Sequence, residues 1–226
     1  MVRRSLSFDQ DVYHRMRSLA ATAFIYRVDA AVYPTFQWRV LEGHLGLIGG
    51  YEGTLSGSVS DQNFGGNYDI SESEVYGGVR LRRPVRGQDL GFELTVGRSH
   101  SGLDDGKAAA GVPDVSYGEV RSAVDLTLHF DRLTAAAAAG LRVPFGYGEM
   151  SNLEWFPRVG GYGIEAALRG SYQISSRSAV EAAFTLRRYV LEMNSQPEDA
   201  TSGISQVAGG AIDQYLAGYI GVSVAL

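Results

Sequence analysis

Arginine and carboxylate side chains recur at alternate positions along this chain, and alternation places residues on one face of a β-strand. Arg27 and Asp29, Glu52, Glu74 with Arg80 and Arg82, Glu93, Glu119 with Arg121 and Asp125, Arg142, Glu165 with Arg169, and Glu181 with Arg187 make up the set. The two signs nearly balance, so the chemistry they favour is ion pairing with one another, the usual condition of charges taken out of water. Groups suited to covalent or metal chemistry are placed less usefully. His14, His44, His100 and His129 lack metal-ligand spacing, and cysteine is absent, which removes thiolate ligands and thiol nucleophiles. His14, His100, Asp104, Asp105, Glu149 and Glu154 are read as loop residues, and no spacing among them reproduces an Asp/His catalytic pattern. The GGYGIE run at 160–165 reads as a glycine-bearing strand and not as a phosphate cradle. No enzymatic activity, no cofactor and no metal are expected.

The elements that carry these charges are strands. Val120, Ser122, Val124, Leu126, Leu128 and Phe130 alternate with Arg121, Ala123, Asp125, Thr127 and His129, giving one apolar and one polar face. Leu133–Tyr147 sets Leu141, Val143 and Phe145 against Arg142 and a row of small residues, and Tyr162–Ile174 sets Ile164 and Leu168 against Glu165 and Arg169. Period two recurs in about ten segments, at 3–9, 21–34, 43–58, 73–84, 89–101, 115–130, 133–147, 161–174, 178–193 and 211–226. With 29 glycines, 13 tyrosines and no helical periodicity, the composition agrees with an all-β chain. Connections on these boundaries alternate long and short, as in closed up-and-down antiparallel barrels whose short turns share one end. Arg86–Gln88, Asp131–Arg132 and Ser175–Arg177 are the short polar turns, while Ser60–Ser71 and Asn194–Gly209 read as long solvent loops. Residues 1–226 are read as a single domain of this kind.

Which face points outward decides the function class. A soluble lipocalin-like barrel, holding a ligand, turns its apolar face inward. Here the polar face mixes long arginines and acids with Gly, Ala, Ser and Thr, the composition that a crowded narrow lumen needs. Aromatic residues fall toward the two ends of the apolar face: Phe24, Tyr26, Phe145, Tyr147 and Tyr162 on the loop side, Phe92, Phe130 and Tyr172 on the turn side. These are the positions of interfacial girdles. The expected architecture is therefore a transmembrane β-barrel with a salt-bridged lumen, which acts as a structural or anchoring element. The alternative is a narrow pore for small solutes or ions. Arg98 and Arg188 lie on the apolar stripe toward the loop side, where they could meet lipid headgroups, including lipopolysaccharide phosphates, or simply snorkel. No apolar run reaches the roughly 18 residues of a spanning helix. With a net charge of −5 and no basic stripe, nucleic acid is not an expected partner. The start MVRRSLSFDQDVYHR has no apolar signal-peptide core, so the sequence reads as a mature form, a truncated gene model or the C-terminal domain of a longer exported chain.

The closing segment Asp213–Leu226, DQYLAGYIGVSVAL, carries apolar side chains at its last residue and alternately before it. With the preceding RRYVLEMN and GGAIDQYLAGYIG runs, it resembles the final hairpin of small bacterial outer-membrane β-barrel proteins of the porin-like or OmpA-like class, including uncharacterised outer-membrane barrel domains of Gram-negative bacteria. The resemblance spans nearly the whole chain through generic motifs. Leu226 stands where that class usually ends in phenylalanine. The resemblance implies residence in the bacterial outer membrane, contact with its lipid, and recognition of the C-terminal strand by the barrel-insertion machinery.

Overall fold

The computed structural model describes residues 1–9, 18–34, 44–61, 66–104, 112–153, 155–195 and 208–225. His14, Asp105, Glu154, Leu226 and most of the Asn194–Gly209 loop, all named above, lie outside them. Ten antiparallel strands form a closed barrel: β1 (Val2–Asp9), β2 (Leu19–Val32), β3 (Leu45–Asp61), β4 (Gly66–Val85), β5 (Gln88–Asp104), β6 (Val115–Phe130), β7 (Leu133–Gly148), β8 (Gly160–Gln173), β9 (Ser178–Glu192) and β10 (Gly210–Val224). Each strand pairs with its sequence neighbours, and β1 closes the ring on β10. No described helix is long and apolar enough to cross a membrane.

Local chemistry explains the tight end of the barrel. Arg86 and Gly87, at φ 51° and 79°, join β4 to β5 through a turn with both central residues left-handed, the form whose twist matches that of the flanking strands. Asp131, at φ 51°, does similar work between β6 and β7, and Asp is among the non-glycine residues that tolerate that region.

The faces divide as their alternation requires. Leu126, Leu168 and Val222 are 45%, 61% and 70% exposed on the outer surface, whereas Glu165 is 8% exposed inside. Leu90, Phe92, Leu94, Val96, Val124, Leu141, Val143, Ile164 and Phe184 share the outer face. The apolar stripes thus look outward and the ionic ones inward.

Three expectations need correction. Ser60–Ser71 is not a loop: β3 runs to Asp61 and β4 starts at Gly66, with Ser58 through Asp61 paired to Asp69 through Gly66. Polar composition concealed these strands because the faces change character there, with Val59 and Ile70 buried inside and Ser58 and Asp69 exposed outside. Second, the long–short alternation of connections fails at this point. The β3–β4 connection, 62–65, is short, and the β2–β3 connection, 33–44, is longer than expected. Third, Tyr147 is no girdle residue. It is buried, edge-on to Tyr117 with ring centroids 6.1 Å apart. The β6–β7 register shifts between Val115 and Glu119, opposite Gly148 and Pro144, and a bulge of this kind turns the following side chains to the other face.

Candidate functional site

The interior is stratified along the barrel axis. At the turn-side mouth, Arg82 lies 3.9 Å from Asp89, and His129 Nε2 lies 3.2 Å from the same carboxylate. Arg80 donates to Asp125 at 2.7 Å and lies 3.5 Å from Glu93. These residues line a cavity of about 950 Å³ that extends among Thr134, Ser171 and Ser223.

Deeper in, β5 to β9 and β4 contribute one continuous ionic belt. Arg121 bridges Glu93 at 2.7 Å and Glu165 at 2.6 Å. Arg142 takes the other oxygen of Glu165 at 2.6 Å, Glu74 at 3.0 Å, and Glu119. Arg187 bonds the second oxygen of Glu74 at 2.7 Å, and Tyr189 donates to Glu119 at 2.9 Å. Arg121 and Arg142 each see acids from different strands, and Arg187 of β9 reaches Glu74 of β4, so the belt ties non-neighbouring strands across the lumen. On the opposite wall Arg27 pairs with Asp29 at 2.8 Å, and Tyr76 donates to that acid at 2.7 Å. Tyr219 donates to Glu52 at 2.6 Å.

Toward the loops lies a group that sequence reasoning missed. Arg4 makes two 3.0 Å hydrogen bonds to Asp213 and one of 2.7 Å to Ser101, whose hydroxyl is 3.3 Å from Glu72. Tyr117 and Tyr215 also donate to Asp213, at 3.0 and 2.9 Å. Tyr117 stacks on Tyr189 with centroids 4.1 Å apart, and Tyr189 meets Tyr215 edge-on. Asp213 is 0% exposed and Arg4 1%. Their charges are therefore fully desolvated, and each depends on the other and on its hydroxyl partners. Above them an apolar cluster of Leu6, Leu19, Ile70, Val115, Met150 and Phe156, with their neighbours, fills the loop-side end.

Of the residues singled out from sequence, Arg27, Asp29, Glu74, Arg80, Arg82, Glu93, Glu119, Arg121, Asp125, Arg142, Glu165, Arg169, Glu181 and Arg187 all line the large cavity, and Glu52 lines a small adjoining one. Arg169 and Glu181 are brought to the lumen near the turn side but form no ion pair among the described residues. Arg98 points outward and donates to the Ser116 hydroxyl at 3.0 Å. Arg188 is half-buried on the outer face of β9, opposite Ile164 and Gln214. His44, His100 and His129 belong to no described cluster of potential metal ligands.

The missed residues carried a usable signal. Tyr117 and Tyr189 each stand two residues from a lumen charge, Glu119 and Arg187, and Asp213, Tyr215 and Tyr219 alternate with Leu216 and Ile220. Period two extended through the tyrosines would have placed them inside. No family model matches the chain, and no curated protein matches it.

Proposed function

We propose that this chain is an integral outer-membrane barrel with a structural or anchoring role, its lumen blocked by salt bridges and tyrosines. The single observation that carries this reading is the sealed loop-side half. The Arg4–Asp213 pair, its three tyrosines and the apolar cluster above leave the cavity ending partway along the barrel axis. Water and ions entering from the turn side would meet fully buried groups already bonded to one another. Opening that path means stranding buried charges, which costs several kcal/mol.

Membrane residence is supported by the outer surface. A contiguous apolar band running through Leu94, Val124, Leu141, Ile164 and Phe184 is far beyond what a water-facing surface carries without a partner. A soluble lipocalin-like barrel would have these residues inside, around its ligand. Closed sheets satisfy backbone hydrogen bonds in hydrocarbon, and the outer alternation fits lipid. Arg98 and Arg188, at the loop-side margin of that band, are then suited to headgroup oxygens.

The runner-up function, a narrow pore, is separated by conductance. Refolded protein in planar bilayers is expected to give a quiet baseline at neutral pH and 1 M salt; reproducible unitary steps would overturn the blocked-lumen reading.

A further inference from the structure

The turn end of the barrel is cationic. On its turns and outer surface Arg83, Arg86, Arg132 and Arg177 are exposed, and among the described residues there only Asp131 is an exposed acid. The three short turns, β4–β5, β6–β7 and β8–β9, carry one of these arginines each, and Arg83 stands on β4 itself. None of the four forms an ion pair among the described residues. This concentration of positive charge runs against a net charge of −5 for the chain.

Spacing from the apolar band fixes their depth. Arg86 follows Val85, Arg132 falls between Phe130 and Leu133, and Arg177 between Ile174 and Val180, all of them exposed apolar residues of the outer surface. Each turn arginine is thus one to three residues past the band, roughly 3–8 Å along a tilted strand. The headgroup layer on each side of the hydrocarbon is about 5–8 Å thick, so these turns end inside it. Arg83 narrows the choice further. It alternates with Leu81 and Val85 on the outer face of β4 and stands opposite Leu90, so its stem lies on apolar surface while its head reaches the margin.

The geometry points to a binding surface for anionic phospholipid headgroups: Arg83, Arg86, Arg132 and Arg177 form an arc around the turn-side rim, from β4 to β9, that gathers the phosphates of lipids carrying net negative charge. A guanidinium meets a phosphate with paired donors, and basic residues at a membrane margin concentrate anionic lipid. An acidic solute or polymer below the mouth would meet the turns but leave Arg83 unused, since that side chain points away from the lumen among Leu81, Val85 and Leu90. The inference rests on the membrane residence proposed above and adds to it the class of lipid and the end of the barrel that holds it.

The test uses the full chain with a fluorophore on Val85→Cys, refolded in phosphatidylcholine vesicles, and compares quenching by phosphatidylglycerol and by phosphatidylcholine brominated on their acyl chains. Phosphatidylglycerol is expected to be enriched about threefold at that position in low salt. The preference is expected to vanish in 1 M salt, where the screening length is about 3 Å. Changing Arg83, Arg86, Arg132 and Arg177 together to Gln is expected to abolish it, and changing the same four to Lys to keep it. Equal quenching by the two lipids with the arginines in place, or an enrichment that survives removal of the four charges, would overturn the proposal. A chain that enters neither lipid and stays in the aqueous phase on flotation would contradict membrane residence and the proposal with it, whereas insertion without lipid preference overturns the proposal alone.

Discussion

Arg142 and Glu165 show how single residues set the interior. Arg142 touches Glu74, Glu119 and Glu165, from three different strands, while Glu165 joins it to Arg121. Removing one member leaves buried partners short of compensation, and such a loss typically costs about 3 kcal/mol or more. Outward residues carry no such obligation. Glu165→Leu is therefore expected to destabilise the barrel by about 3 kcal/mol, and the outward Leu168→Val by about 0.5 kcal/mol, read by urea unfolding from lipid vesicles. Equal tolerance of the two would mean that the belt contributes nothing to stability. The belt residues were legible from sequence because charge and period two coincide at each of them. Arg4 was not, since it shares a face with Val2, Leu6 and Phe8 in the short strand β1, and a rule that turns apolar faces outward sends it to the surface.

At the scale of the element, β3 and β4 are the informative pair. Their outer portions read as loop from composition because polarity was taken to mean solvent on both faces. In the fold, Val59 and Ile70 turn inward to the apolar cluster while Ser58 and Asp69 face out. A strand beyond the apolar band becomes an ordinary one-sided strand, greasy inside and polar outside. The pattern stays at period two, but its sense reverses. A register shift between Gly53 and Ser58 accompanies the reversal, and composition alone carries no mark of it. Amide hydrogen exchange should find Ser58–Val59 and Asp69–Ile70 protected at the level of the central strands. Exchange at the rate of a free loop would contradict the extended hairpin. Tyr147 follows the same logic: a bulge after Pro144 moves it from the surface to the core.

As a whole molecule, the barrel inverts the usual arrangement of a soluble protein over its turn-side half and restores it over the loop-side half. Strand number, closure and the outward direction of the apolar stripes followed from alternation; the sealed end did not, because it depends on residues that meet only across the closed ring. Arg4 and Asp213 are separated by nearly the full chain and meet because β1 pairs with β10. The absence of cysteine makes a direct test simple. Spin labels at Leu94→Cys, Leu126→Cys and Leu168→Cys, in vesicles, report contact with dissolved oxygen in lipid or with a water-soluble nickel chelate. The prediction is strong oxygen broadening with little effect of nickel at all three sites. Strong nickel broadening with weak oxygen broadening would place these side chains in water and contradict the membrane barrel.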